Sequence, residues 1–263
     1  MNDTVLLSVE GRVATVTLNR PQVLNALNPD MVDGLMETFE QIAGDPSLRV
    51  VVMAGSGNGF MAGGDIRRFQ EVMTLSPAER HTYFERFIHR VHPIIIAMRR
   101  LPLPIIASVH GAVAGVGMSL MMACDLAVAT DDARFTLAYI HLGTSPDGGS
   151  TFFLPRHVGS KKAMEIALLG DRFDAATALR LGLVNEIVPP ADLAGRVADL
   201  AARLARGPAA AYTATKRLIH QSGSVTIETQ LQAEAESFAR CAATPDFAEG
   251  VAAFVGKRPA NFS

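Results

Sequence analysis

The sequence predicts an α/β fold, and three observations carry that prediction. Short apolar runs of strand character recur at 13–18, 50–53, 105–109 and 126–129, and the stretches between them place apolar residues at helical spacing. Two of these runs lead through glycine-bearing turns, Phe60-Met61-Ala62-Gly63-Gly64-Asp65 and His110-Gly111-Ala112-Val113-Ala114-Gly115-Val116-Gly117-Met118-Ser119, toward helical segments. After Pro189-Pro190, helical patterns dominate. The expected organisation is a core over 1–190 and a helical, oligomer-forming region over 191–263.

In order along the chain, 5–7 and 13–18 read as strands joined at Glu10-Gly11, a hairpin signal. Asn28-Pro29 predicts a cap with proline in the first helical position, and Met31, Leu35, Met36, Phe39 and Ile42 form the apolar stripe of a helix that Asp45-Pro46 ends. Residues 50–53 form a buried strand, after which the first glycine turn opens a helix through Ile66 and Phe69. Residues 78–98 predict a helix with Tyr83, Phe84, Phe87, Ile88, Val91 and Ile95 near one face, kinked or divided at Pro93.

The second strand-turn-helix unit covers 105–124, and strands at 126–129 and 134–137 follow it. The turn Thr144-Ser145-Pro146-Asp147-Gly148-Gly149 precedes a helix near 151–154. Helices at 161–169 and 175–181 lead through 183–188 to the proline break, and three more are expected at 191–205, 209–220 and 226–242. Their apolar stripes need a partner surface, part of it on another subunit.

Composition narrows the function. With 263 residues, 49% of them hydrophobic and a formal charge of -2, the chain can bury a large core and makes no electrostatic case for nucleic acid or membrane surfaces. Residues 101–123 are long and apolar enough for a membrane span, but Pro102, Pro104, Gly111, Gly115 and Gly117 break them into a buried strand, a turn and a helix. Cys124 and Cys241 have neither disulfide-framework nor metal-ligand spacing, and the first residues lack the basic and apolar regions of a secretory signal, so a reducing cytoplasm is expected. The two glycine turns favour a small-molecule site. Glycine permits close backbone approach, and free N–H groups before a helix favour developing negative charge, so the turns together would hold an enolate oxygen.

At this level of detail the chain resembles the crotonase, or enoyl-CoA hydratase/isomerase, superfamily. The likeness rests on Asn19-Arg20-Pro21 with Leu24-Asn25-Ala26-Leu27, Ala62-Gly63-Gly64-Asp65, the 110–119 stretch running to Cys124-Asp125, Leu154-Pro155-Arg156 with Gly159, Gly182-Leu183-Val184, and Phe254-Val255-Gly256-Lys257-Arg258-Pro259. The resemblance implies a spiral of ββα repeats with a C-terminal helical trimerisation extension, assembled as homotrimers or hexamers. It implies an acyl-CoA thioester substrate, with no metal or other cofactor, whose carbonyl accepts N–H bonds from Ala62 and Val116. It further implies a substrate surface from Val23, Leu24, Ala26, Gly63, Gly64, Asp65, Ile66, Gly115, Ser119 and Tyr139, with Phe254 and Lys257 reaching the CoA from the C-terminus.

One departure bears on the reaction. The positions of the two glutamates used by hydratases of this family hold Ser119 and Tyr139 here, both poor proton carriers at neutral pH. A carboxylate returns at Asp147, a position that resembles the acidic residue of the isomerase branch and the nucleophile of aryl-CoA dehalogenases. The expected activity is a Δ3-to-Δ2 enoyl-CoA double-bond shift, or isomerisation of a ring acyl-CoA. The alternatives are a hydratase, hydrolase or dehalogenase using Asp147, or a non-catalytic acyl-CoA-binding protein. Asp65 reads as a helix cap, Asp125 as a fix for a strand entry, and His110 and His141 as structural or pocket-lining residues.

Overall fold

The computed structural model describes residues 3–263. The chain begins with the antiparallel hairpin β1 (Val5–Glu10) and β2 (Val13–Leu18) and passes through helix α1 (Pro29–Gly44) to β3 (Val50–Gly55). From there a unit repeats: β3, β4 (Gly59–Met61), α2 (Ile66–Glu71) and α3 (Pro77–Arg100); then β5 (Ile105–Val109), β6 (Ala112–Ala114) and α4 (Val116–Ala123); then β7 (Leu126–Thr130), β8 (Arg134–Thr136) and α5 (Ser150–Leu169). A short β9 (Phe173–Asp174), α6 (Ala175–Arg180) and β10 (Glu186–Val188) complete the core.

Each turn of this spiral gives one strand to each of two sheets. The larger has the order β1-β2-β3-β5-β7-β10 and the smaller β4-β6-β8-β9. Pairing is parallel except at β1/β2 and β8/β9. The spiral therefore stacks equivalent turns: β4 lies beside β6, so the two glycine turns that follow them end up as neighbours.

The runs at 50–53 and 105–109 are buried at every position, and apolar at all but Ser108, because both faces of the large sheet are covered. Val51, Met53, Ile105 and Ala107 point into the main core, whereas Val50, Val52, Ile106 and Val128 pack against Leu193, Val197 and Ala201 of α7 (Leu193–Ala205). The helical region after residue 190 thus begins as part of the core packing. It continues through α8 (Ala209–Ser222), α9 (Ile227–Ala242) and α10 (Pro245–Val255).

Several expectations are met at the level of single residues. The Asn28 side chain accepts a hydrogen bond from Met31 N with Pro29 at the first helical position, and residues 101–123 divide into β5, β6 and α4. Among the described residues no helix is long and apolar enough to cross a membrane. Three details differ. Helix α3 runs undivided through Pro93, held by buried Val91, Ile94, Ile95 and Met98 around the exposed proline, so packing overrides the one lost backbone bond. The helices expected at 151–154 and 161–169 are two helices, but they follow one another with no loop between them, meeting at a kink at Gly159 (φ 75, ψ 160). A further C-terminal helix, α10, follows the cap at Thr244, whose hydroxyl accepts from Phe247 N.

Candidate active site

The first glycine turn is anchored by the Asn25 side chain, which lies fully buried. Its amide donates to the carbonyls of Ser56 (2.9 Å) and Gly59 (2.8 Å), and its oxygen accepts from Arg20 N (2.8 Å). Leu24 and Asn25 both take left-handed backbone angles, φ 50 and 57, a conformation that residues other than glycine adopt at a cost. That geometry lays the 24–27 segment along the turn. Ala62 N donates to Leu24 O (2.9 Å), Leu27 N to Gly63 O (2.7 Å) and Asp65 N to Leu27 O (3.0 Å).

The consequence corrects one expected role. The N–H of Ala62 is occupied by Leu24, so Ala62 is not a free donor. Gly64 is the open one: its register opposite Leu27 turns its N–H away from that neighbour, and among the described residues it has no acceptor. Spacing alone does not reveal this, because successive peptides of an extended turn face opposite ways.

The second turn meets the first directly. Gly63 has φ 100 and Gly115 φ 52, both in the region that favours glycine, and a Cβ built on Gly115 would lie 3.5 Å from Gly63 Cα. Because Gly115 takes the unusual backbone angles, Val116 starts α4 without a positive φ, and a side chain is tolerated there. Like Gly64, Val116 has an N–H with no acceptor among the described residues. Gly64 and Val116 therefore supply the two open donors.

Asp65 is turned inward. It caps α2 by accepting from Arg67 N (3.1 Å) and pairs with Arg20 at 2.8 Å, with 7% of its side chain exposed. Arg20 also donates to Ala26 O (2.5 Å), so one guanidinium braces both sides of the first turn. Ala26 is buried, Val23 half-buried, and Leu24 and Ile66 exposed, so the surface these residues offer a ligand is carried mainly by Leu24 and Ile66. Asp125 accepts from Ile105 N (2.8 Å), as expected of a strand-entry residue, and His110 and His141 each bond a backbone carbonyl.

Asp147, Tyr139 and Ser119 come together behind the second turn. Tyr139 Oη donates to Asp147 Oδ1 (2.5 Å), and its ring lies 3.8 Å from a Cβ built on Gly115. Ser119 Oγ donates to Asp147 O (3.1 Å), Ser150 Oγ donates to the same carbonyl (2.8 Å), and the two hydroxyls are 2.6 Å apart. Burial pushes the Asp147 carboxyl above the ordinary range, partly offset by the Tyr139 hydroxyl and by His92 of α3. Burial, and then the charge of Asp147, push the Tyr139 phenol up as well, so it stays protonated and donates.

Ser150, His92 and Arg20 carry functions that the sequence reading does not assign. Their only local signals are ordinary ones, a serine at a helix start, a histidine before a proline and an arginine in Asn-Arg-Pro. Phe254 is 87% exposed and Lys257 is exposed, at the end of a helix that packs on α9. Among the described residues, no hydrogen bond or ring contact links either to the two turns. A cavity of about 490 Å³ lies between the start of α1 and α3, lined by Pro29, Thr82, Tyr83, Arg86 and Phe87. It does not reach Asp147. An edge-to-face series from Tyr83 to Phe84 (5.3 Å) to Phe69 (5.0 Å) connects its wall to Gly64, where a Cβ would lie 2.6 Å from Phe69 Cζ.

Residues 8–263 match the family described as enoyl-CoA hydratase/isomerase. The chain is 37% identical to a probable enoyl-CoA hydratase of Rhodobacter capsulatus, covering 99% of this chain and 98% of that protein. It is 34% identical to the 1,2-epoxyphenylacetyl-CoA isomerase of Escherichia coli, covering 100% of this chain and 99% of that protein. The crystal structure of an enoyl-CoA hydratase from Polaromonas sp. JS666 superposes with a TM-score of 0.92 at 34% identity, over 98% of this chain and 99% of that one.

Proposed function

The chain belongs to the enoyl-CoA hydratase/isomerase family, and from that premise we propose that it is an enoyl-CoA isomerase that moves a double bond through a thioester enolate. The observation that carries the reading is Asp147, the carboxylate held beside the second turn where Ser119 and Tyr139 stand in the expected glutamate positions.

The steps balance on the one carboxylate. With the thioester oxygen of a 3-enoyl-CoA against the N–H groups of Gly64 and Val116, Asp147 takes a proton from C2. The C–H pair becomes the dienolate, whose negative charge the two N–H groups stabilise. The protonated carboxyl then returns a proton to C4, giving the 2-enoyl-CoA. Each well-placed donor is worth about 3 kcal/mol in such a transition state. A carboxyl with raised pKa is suited to this exchange, because it gives up its proton as readily as it takes one. The steps call for no metal or redox cofactor. Ring acyl-CoA isomerisation uses the same enolate and is supported by the likeness to the epoxyphenylacetyl-CoA isomerase.

Water addition is the second reading, supported by the hydratase names among relatives. It needs a second group to activate water, and Ser119 is committed to the Asp147 carbonyl and Ser150. The test is incubation with 3-enoyl-CoA and, separately, 2-enoyl-CoA in deuterated water. Isomerisation with deuterium exchange and little hydration supports the proposal. Rapid 3-hydroxyacyl-CoA formation replaces it with the hydratase reading, and binding without turnover or exchange leaves a non-catalytic acyl-CoA-binding protein.

A further inference from the structure

We propose that Tyr139 is a positioning residue for the proton transfer: its hydroxyl holds Oδ1 of Asp147, so that Oδ2 alone carries the proton between the two carbons of the substrate. This rests on Asp147 being the base. The Tyr139 Oη to Asp147 Oδ1 distance is 2.5 Å, and among the described residues no other side chain hydrogen-bonds to that carboxylate. A free carboxylate rotates and presents either oxygen. One held by a short, charge-assisted bond does not.

The surrounding chain is built to keep that phenol in place. Ala138, the residue before Tyr139, has φ 42, and Gly143 closes the short 3-10 turn Tyr139–Leu142 at φ 68. A left-handed alanine is costly, and its cost is maintained here by Ala138 N donating to Thr136 Oγ1 (3.1 Å) while that hydroxyl donates to Gly170 O (2.8 Å). The strain falls next to the residue that orients the carboxylate. From the other side, the hydroxyls of Ser119 and Ser150 hold the Asp147 carbonyl, so main chain and side chain of Asp147 are both restrained. Because the Tyr139 ring also lies against Gly115, one side chain sets the height of the base over the second oxyanion turn.

The groups acting on the carboxylate are Tyr139 from the 3-10 turn and His92 from α3, while the uncharged hydroxyls of Ser119 on α4 and Ser150 on α5 bond the main-chain carbonyl of Asp147. Of these, the Tyr139 hydroxyl is the one hydrogen-bonded to the carboxylate itself. Its donation stabilises the charged form. Removing it should raise the pH at which the base is lost, and strengthening it should lower that pH.

Two variants of the full protein test this with 3-enoyl-CoA. In Tyr139→Phe, kcat should fall about tenfold or more with KM little changed, and the acid limb of kcat/KM should move up by about one pH unit. Replacing Tyr139 with 3,5-difluorotyrosine, a stronger donor, should move the same limb down; should Tyr139→Phe fail to fold by circular dichroism, the fluorinated protein decides alone. An acid limb that stays in place, or a change borne by KM with kcat intact, overturns the proposal. Asp147→Asn separates the two levels: full turnover in that variant removes the base assignment itself, whereas loss of turnover with an unmoved limb in the tyrosine variants removes only the role of Tyr139.

Discussion

The ammonium of Lys216 on α8 lies 2.8 Å from the carboxylate of Asp125, with 8% and 18% of the two side chains exposed. Lys216 also donates to Leu103 O (2.9 Å), and Asp125 accepts from Ile105 N (2.8 Å), so the pair clasps the helical region onto the entry of β5. Breaking a buried pair leaves an uncompensated charge. Lys216→Met should therefore cost about 3 kcal/mol, read as a lowered urea midpoint with unchanged slope.

The clasp also sets a pH response. Burial opposes the charge on Asp125, but the bonds from His220 and Lys216 outweigh it and hold the carboxyl below its ordinary value. A depressed carboxyl stabilises the fold above the unfolded value of about 3.9 and loses that contribution as pH falls through the lower folded value. The wild type should lose stability between about pH 4 and lower values more steeply than Asp125→Asn, as measured by thermal melts across that range.

Asp147→Asn should lower turnover by about a hundredfold or more while acyl-CoA affinity is kept. Its effect on stability should have the opposite sign. Burial raises the carboxyl in the folded state, so the ionised group is a cost to the fold at neutral pH, and the amide removes it. A melting temperature at pH 7 no lower than wild type, together with lost turnover, is the expected outcome. The same raised carboxyl places the acid limb of wild-type kcat/KM above the usual aspartate value of about 3.9.

Val116→Pro tests the second donor. Proline is accommodated at the first position of a helix, where α4 places Val116, so the substitution deletes the N–H while keeping the helix start. Turnover should fall about a hundredfold, with substrate binding less affected. Equal turnover would mean that the second turn does not hold the oxyanion.

Assembly is expected to cover the apolar surface of the C-terminal helices. Ile227, Leu231 and Phe238 of α9 and Phe254 and Val255 of α10 are more than half exposed in one protomer. Sedimentation at micromolar concentration should give three or six times the 28.0 kDa protomer mass. A monodisperse monomer would remove this expectation and, with it, any role for Phe254 and Lys257 at a neighbouring subunit's site.

What the sequence by itself determined is local and repetitive. Apolar runs covered on both faces marked the strands of the large sheet, Asn28-Pro29 marked the start of α1, and glycine at positions such as Gly63 and Gly115 marked turns that L-residues rarely enter. Those signals are legible because backbone preference and burial act over a few neighbouring residues. The tertiary structure decided which groups on those turns are free to act. Leu24 O occupies the Ala62 N–H, the Leu27–Gly64 register leaves that of Gly64 open, and the spiral brings Tyr139, Ser119 and Ser150 around Asp147. Hydrogen bonding between segments far apart in the chain, such as Leu24 with Ala62, depends on orientation as well as composition, and no spacing along one strand encodes it.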